Sequence, residues 1–285
     1  MTPSQNNSEV AAPTADALAS RLALARDAAA EAGRNAMRLY QSPALKVIDK
    51  PDGSPVTSAD KEGETIIRRA IAAQFAGDAI LGEEFPETPG SSGYRWVIDP
   101  IDGTRSFVRG QPTFAVLVGI EHAGSVGGVV GGVALFPALQ ESLWAGKGTG
   151  AWWSTPGQGT LPARVSTTQH LHESIVESLW PRSFAKHNVT PVRERLESST
   201  WRLRTWSDAY SWAMVATGRA DAAVDFGSSL WDIAPFVIAI AEAGGTITDW
   251  HGNAAEASRA HIASNTILHN DLLRVVSPPQ PGASL

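Results

Sequence analysis

From residue 94 to residue 153 the chain alternates apolar runs with short glycine-rich breaks, and this texture limits the possible folds more than any other feature. RWVIDPIDGTRSF (95–107), TFAVLVGIEHAGSVGGVVGGVALFP (113–137) and ESLWAGKGTGAWW (141–153) carry the pattern of antiparallel strands joined by tight turns. The preceding residues follow another period. Leu18, Leu22, Ala25, Ala29, Ala32, Ala36 and Leu39 recur at helical spacing, which predicts an amphipathic helix over 16–40, and a second helix follows over 59–76. Between them KVIDKPDGSPVTSAD (46–60) holds a Pro-Asp-Gly turn suited to a loop or hairpin tip, with Asp60 at or just before the second helix start.

After a Pro-bearing linker (154–165), strand-like SIVESLW, AAVDF, GTITDW and HIASN alternate with helices over 207–217 and 232–243, closed by Gly218 and by Gly244-Gly245. Helices and strands intermix, so the class is α+β (mixed). The Gly-rich run over 124–132 lacks the GxxxxGK[ST] spacing and the following helix of a phosphate loop, and is read as a hairpin. A chain of 285 residues suits one large domain or two lobes sharing a site. The expected division is a tail over 1–14, a lobe over 15–157, a second lobe over 158–276 and a tail over 277–285.

Lys plus Arg number 23 against 29 Asp plus Glu, a net charge of −6, so no global positive field draws in nucleic acid or anionic lipid. An anionic substrate needs a bound cation or a local patch. Cysteine is absent, which excludes disulfides, thiolate zinc sites and a cysteine nucleophile; any metal must sit on oxygen or imidazole. The seven histidines show no HExxH or paired metal spacing and are read as structural or solvated. No apolar run is long enough for a membrane helix. MTPSQNNSEV lacks a basic start followed by an apolar core, so the cytoplasm is the expected compartment.

The residues that carry chemistry are carboxylates. In Asp99-Pro100-Ile101-Asp102-Gly103-Thr104 two aspartates three apart follow an apolar strand. A strand-to-loop turn can aim both, with the Ile101 carbonyl, at one hard cation, while Gly103 lets backbone N–H groups approach an anion. Glu83 and Glu84 end another apolar run, and Asp232 stands at the start of the long apolar helix. Singly, each has a plain account as turn former, solvated loop or helix N-cap. Together they gather at strand ends and helix starts, where mixed folds place their sites, and point to Mg²⁺ held by carboxylates and a substrate phosphate.

GSPVTSAD (53–60), GEE (82–84), DPIDGT (99–104), WDIAP (231–235) and AEAGG (241–245) together resemble the inositol monophosphatase superfamily of Mg²⁺-dependent phosphatases over about residues 15–275. The resemblance implies an α-β-α-β-α layered sandwich, usually a homodimer, binding two to three Mg²⁺ ions per site. It implies that Glu83, Asp99 and the Ile101 carbonyl bind the first metal and Asp99, Asp102 and Asp232 the second, with Glu83 also on a weaker third. It further implies that Thr104, hydrogen-bonded to Asp60, activates the attacking water with Glu83, and that Gly103 and Thr104 N–H groups receive the phosphate. Asp60 also has a simpler account as an N-cap.

Within the superfamily, TWRLR (200–204), an aromatic-rich helix with Ser207-Asp208 near its start, and SLWD followed by IAP are similar to the histidinol-phosphatase branch. Inositol phosphatases usually carry a Gly-Thr or Gly-Ser pair at the Ser207-Asp208 position. Histidinol phosphate is a small phosphate monoester with a cationic amine, so a carboxylate at Asp208 can pair with it; a helix N-cap is the other reading. Asp225 matches an acidic substrate contact of relatives. Arg204 either neutralises carboxylates or packs at a lobe or dimer interface. Trp152, Trp153, Trp180, Trp206 and Trp212 can wall an imidazole pocket, although the core accounts for most. The expected activity is histidinol-phosphate hydrolysis; the rivals are an inositol-1-phosphate or broad sugar-phosphate phosphatase and a binding protein on the same scaffold.

Overall fold

The computed structural model describes residues 12–51, 53–125, 128–178, 181–205 and 208–277; most of both expected tails, together with Trp180, Trp206 and Ser207, lies outside them. Thr14 opens the first helix, its Oγ1 accepting the Ala17 N–H at 3.3 Å. This helix, α1 (Ala15–Leu39), buries an alanine-rich face whose small side chains allow close approach to a sheet. The hairpin of β1 (Val47–Asp49) and β2 (Pro55–Thr57) then leads into α2 (Ser58–Gln74).

A seven-stranded sheet follows in chain order, interrupted by one short helix. It comprises β3 (Ala79–Gly82), β4 (Tyr94–Asp102), then α3 (Thr104–Val108) outside the sheet, β5 (Ala115–His122), β6 (Val129–Phe136), β7 (Glu141–Gly146), β8 (Gly150–Thr155) and β9 (Gly159–Pro162). Only the β3–β4 pair is parallel. β5 and β6 pair antiparallel, so the Gly-rich run joins a hairpin, as its sequence predicts; Val126 and Gly127 lie outside the described residues. The side chains alternate as a two-faced sheet requires. Trp96, Ile98, Val116, Val118 and Ile120 pack with α1 and α2, whereas Val97, Ala115 and Leu117 face the opposite side.

The remaining elements are β10 (Ile175–Ser178), α4 (Pro181–Lys186), α5 (Thr190–Ser199), β11 (Arg202–Arg204), α6 (Asp208–Ala216), β12 (Ala222–Phe226), α7 (Leu230–Glu242), β13 (Thr246–Asp249), β14 (Ala260–Ser264) and α8 (His269–Val276). Their strands form a five-stranded mixed sheet in the order β11-β10-β12-β14-β13. Phe184, Val192, Leu196, Leu268 and Leu272 cover one face with residues of α4, α5 and α8. The other face shares a core with α6, α7 and the first sheet. The layers are therefore α1/α2, seven strands, α6/α7, five strands and α4/α5/α8, the α-β-α-β-α arrangement that the sequence resemblance implies.

The central layer is seated by glycines. A Cβ on Gly132 of β6 would lie 2.5 Å from Pro235 Cα, and one on Gly119 of β5 would lie 2.6 Å from Ala234 Cβ. Only glycine leaves room for α7 to rest directly on these strands, and that contact fixes where its first turn points. Among the described residues no helix is long and apolar enough to cross a membrane.

Candidate active site

Asp99 and Asp102 do not lie in a strand-to-loop turn, as the spacing suggests; both belong to β4, which runs to Asp102. Residues three apart on a regular strand point to opposite faces. Here Asp99 pairs with Leu117 and Asp102 with Ala115, so three steps on β4 oppose two on β5. The extra residue is a β-bulge beside Pro100, whose missing N–H makes it tolerable in such a break. The bulge turns both carboxylates the same way, and Asp232 from α7 joins them. One oxygen from each of Asp99, Asp102 and Asp232 lies within 4.8 Å of the others.

Asp232 and Asp60 occupy the same local position on two helices. Each is the third residue of its helix and accepts the N–H of the N-cap residue: Ser229 N to Asp232 Oδ2 at 2.6 Å, and Thr57 N to Asp60 Oδ2 at 2.7 Å. Ser229 and Thr57 reciprocate as capping boxes, so neither aspartate is itself the N-cap. Capping fixes the rotamer and leaves the carboxylate's other oxygen for the site. Thr104 Oγ is 3.1 Å from both Asp60 Oδ1 and the Ile101 carbonyl, and its single proton serves one of them at a time. Gly103, which precedes α3, has φ +77°, the left-handed conformation that lets the chain turn out of β4 without a side-chain clash.

Glu83 lines the same 190 Å³ cavity as Asp99, Asp102, Thr104 and Asp232. Its Oε1 accepts Lys50 Nζ at 2.8 Å, and the same ammonium bonds Glu84 Oε1 at 2.7 Å. Burial opposes the charge on Lys50, but the bonds and charges of Glu83 and Glu84 outweigh it and hold its pKa high. Lys50, carried by the β1–β2 hairpin, was not evident from sequence because nothing along the chain ties residue 50 to residues 83–84. The 83–84 turn is braced from α2: buried Glu64 accepts the Glu84 N–H at 2.8 Å and Arg68 Nε at 2.7 Å.

A second cavity of about 330 Å³ adjoins the first and shares Asp102, Arg105, Asp208 and Asp232 with it. Asp208 opens α6, but the Ala209 N–H goes to Asp102 Oδ2 at 2.7 Å, so a different residue satisfies that first-turn donor. Asp225, at the end of β12, lines the 330 Å³ cavity; burial pushes its carboxyl up to about 6 despite bonds from Ser228 and the Phe226 N–H. Arg204 lies exposed on edge strand β11 and borders neither cavity. Trp212 lines the second cavity and also belongs to the core, whereas Trp152 is exposed and Trp153 lies beneath the Arg219 guanidinium. Lys186 and His187, at the end of α4 and just beyond it, also line the cavity; sequence spacing gave no reason to single them out.

The electrostatics are those of crowded, buried carboxylates. Burial first, then Glu83, Asp102 and Asp232, drives Asp99 well above the usual carboxylate range. Burial, then Asp208 and Asp232, does the same to Asp102. Burial lifts Asp232 to about 7, with Glu83 and Asp225 adding and bonds from Ser229 and Asp99 opposing. Burial also raises Asp60, against its bonds from Thr57 and Thr104. Such a set cannot all ionise unaided, and an all-oxygen donor group relieved by a hard divalent cation fits Mg²⁺.

The inositol monophosphatase family model matches residues 17–278. A histidinol-phosphatase of Mycobacterium tuberculosis is 36% identical over 231 residues, covering 80% of this chain and 87% of that protein. A histidinol-phosphatase of Streptomyces coelicolor is 38% identical over 267 residues, covering 90% and 94%. The crystal structure of the extragenic suppressor protein SuhB from Bartonella henselae superposes with a TM-score of 0.83 at 28% identity, covering 93% of this chain and 100% of that one.

Proposed function

The chain belongs to the inositol monophosphatase family, and from that premise we propose that it is a Mg²⁺-dependent phosphomonoesterase that cleaves L-histidinol phosphate to L-histidinol and phosphate in histidine biosynthesis. The observation that carries the choice of substrate is Asp208, a carboxylate at the junction of the ion-facing cavity and the 330 Å³ cavity. An ammonium group close to the ester finds its counter-charge there, and a neutral polyol does not.

Asp99, Asp102, Asp232, Glu83 and the Ile101 carbonyl would hold the two to three ions. Mg²⁺ bound there supplies neutralisation of the phosphate dianion and acidification of a water. The chain's own groups do the rest. Thr104 donates its proton to Asp60 Oδ1, which leaves the Thr104 oxygen able to accept a proton from the attacking water, with Glu83 orienting that water. The backbone N–H groups of Gly103 and Thr104 receive the phosphate, and Asp208 and Asp225 receive the polar groups of the leaving alcohol. Of the expected lobes, that over 15–157, whose sheet runs on to Pro162, contributes Asp99, and that over 158–276 contributes Asp232. We assign the enzyme to the cytoplasm as a homodimer, with Arg204 on an exposed edge suited to an interface rather than to the substrate.

Phosphate release from histidinol phosphate and from inositol-1-phosphate, each with Mg²⁺ and with excess EDTA, tests the reading. Mg²⁺-dependent preference for histidinol phosphate is expected. Preference for inositol-1-phosphate would keep the metal centre and discard the Asp208 argument.

A further inference from the structure

Ser106 sits on α3, 6% exposed, and donates its Oγ–H to Asp208 Oδ2 at 2.8 Å. This contact ties α3 to the start of α6, 102 residues further along the chain. Asp208 holds φ +54°, a conformation that side-chain-bearing residues adopt at a cost of about 1–2 kcal/mol. The same Oδ2 would lie 2.6 Å from a Cβ placed on Gly103, so the carboxylate packs directly over the turn that would receive the phosphate. Asp208 also raises the pKa of Asp102 beside it. A negative group fixed so close to a phosphate site opposes an ordinary phosphate ester. It becomes favourable when the substrate brings its own positive charge between the two.

We propose that Ser106 is a specificity-positioning residue: it locks the Asp208 carboxylate where it selects phosphate esters carrying an ammonium two carbons from the ester oxygen. This deepens the phosphomonoesterase reading and rests on it. Histidinol phosphate has that arrangement; so does O-phosphoethanolamine, which lacks the imidazole, while 2-hydroxyethyl phosphate is its neutral counterpart. The selection is thus separable from any recognition of the ring.

The experiment measures kcat and KM for all three esters with wild type, Ser106→Ala, Ser106→Thr, Asp208→Asn and the Ser106→Ala/Asp208→Asn double variant. Wild type should favour phosphoethanolamine over 2-hydroxyethyl phosphate. Ser106→Ala should cut that preference about tenfold, mainly through KM, the size expected for a hydrogen bond to a charged group. Ser106→Thr, which keeps the hydroxyl, should retain it. The double variant should lose no more preference than Asp208→Asn alone, because Ser106 acts through Asp208. Equal loss on both small esters, additive loss in the double variant, or a wild type with no ammonium preference would each overturn the proposal. A wild type that turns over histidinol phosphate without ammonium preference would do so while leaving the proposed function intact. Ser106-dependent ammonium preference with no turnover of histidinol phosphate would support the positioning role and reject the named substrate. If Ser106→Ala does not fold, Ser106→Cys replaces it, with the same loss expected and unchanged preference overturning the proposal.

Discussion

Replacing Asp232 with Asn should make the metal-free protein more stable at pH 8 while abolishing catalysis. In the fold, burial and then Glu83 and Asp225 raise the Asp232 carboxyl from 3.8 to about 7. The folded chain therefore binds this proton more tightly than the unfolded chain. The associated stability is fully present below about pH 4 and is lost as pH rises through about 7. At about 1.4 kcal/mol per tenfold change in proton affinity, that interval is worth about 4 kcal/mol by pH 8. Asn carries no charge at any pH and can still accept the Ser229 N–H, so it should recover about 2–4 kcal/mol of this loss. Urea unfolding in EDTA at pH 5 and pH 8 reads the effect. The variant's midpoint should exceed wild type at pH 8, the gap should shrink at pH 5, and saturating Mg²⁺ should reverse the order because only wild type gains the full binding energy. A variant less stable than wild type at pH 8 in EDTA would refute the idea that crowded carboxylates strain this fold.

Asp99→Asn removes charge from the centre of the cluster and should lower kcat by at least about a thousandfold; near-normal phosphate release at saturating Mg²⁺ would remove Asp99 from the metal centre. Thr104→Ala should leave Mg²⁺ affinity within about threefold by calorimetric titration yet reduce kcat about a hundredfold or more, and unchanged turnover would end its role toward the attacking water. Asp208→Asn should raise KM for histidinol phosphate far more than for an aryl phosphate, and equal effects would leave Asp208 a helix-start residue only. Gly132→Ala places a methyl 2.5 Å from the Pro235 backbone and should cost about 1–3 kcal/mol in urea unfolding, with a neutral result arguing that α7 is free to shift.

Much of this architecture was legible because its signals are local. Helical spacing located α1 within a residue at each end, and the alternation of apolar runs with glycine located β5 to β8. Asp60 and Asp232 show that supporting a helix start leaves a carboxylate oxygen for other contacts: the second oxygen of Asp60 meets Thr104, and Asp232 also joins Asp99 and Asp102. The elements that escaped were short or weakly patterned. α4 has six residues, β11 has three, and neither offers enough turns or alternation to stand out. The β4 bulge escaped too, because nothing in DPID announces that a strand continues through its proline. Contacts distant in sequence were within reach only where the family resemblance implied them, as for Thr104 with Asp60. Lys50 with Glu83, Glu64 under Glu84 and Ser106 with Asp208 exist only once sheets and helices are stacked.

The seating of α7 on Gly119 and Gly132 also bears on how the molecule is made. During synthesis the seven-stranded sheet is complete once Pro162 has emerged, yet the helix that covers its glycines and delivers Asp232 belongs to chain still to come. Both the cover of this sheet's second face and the third carboxylate beside Asp99 and Asp102 come from that later stretch. The same helix thus covers the sheet's glycines and completes the carboxylate cluster, so its docking and the assembly of that cluster are one event.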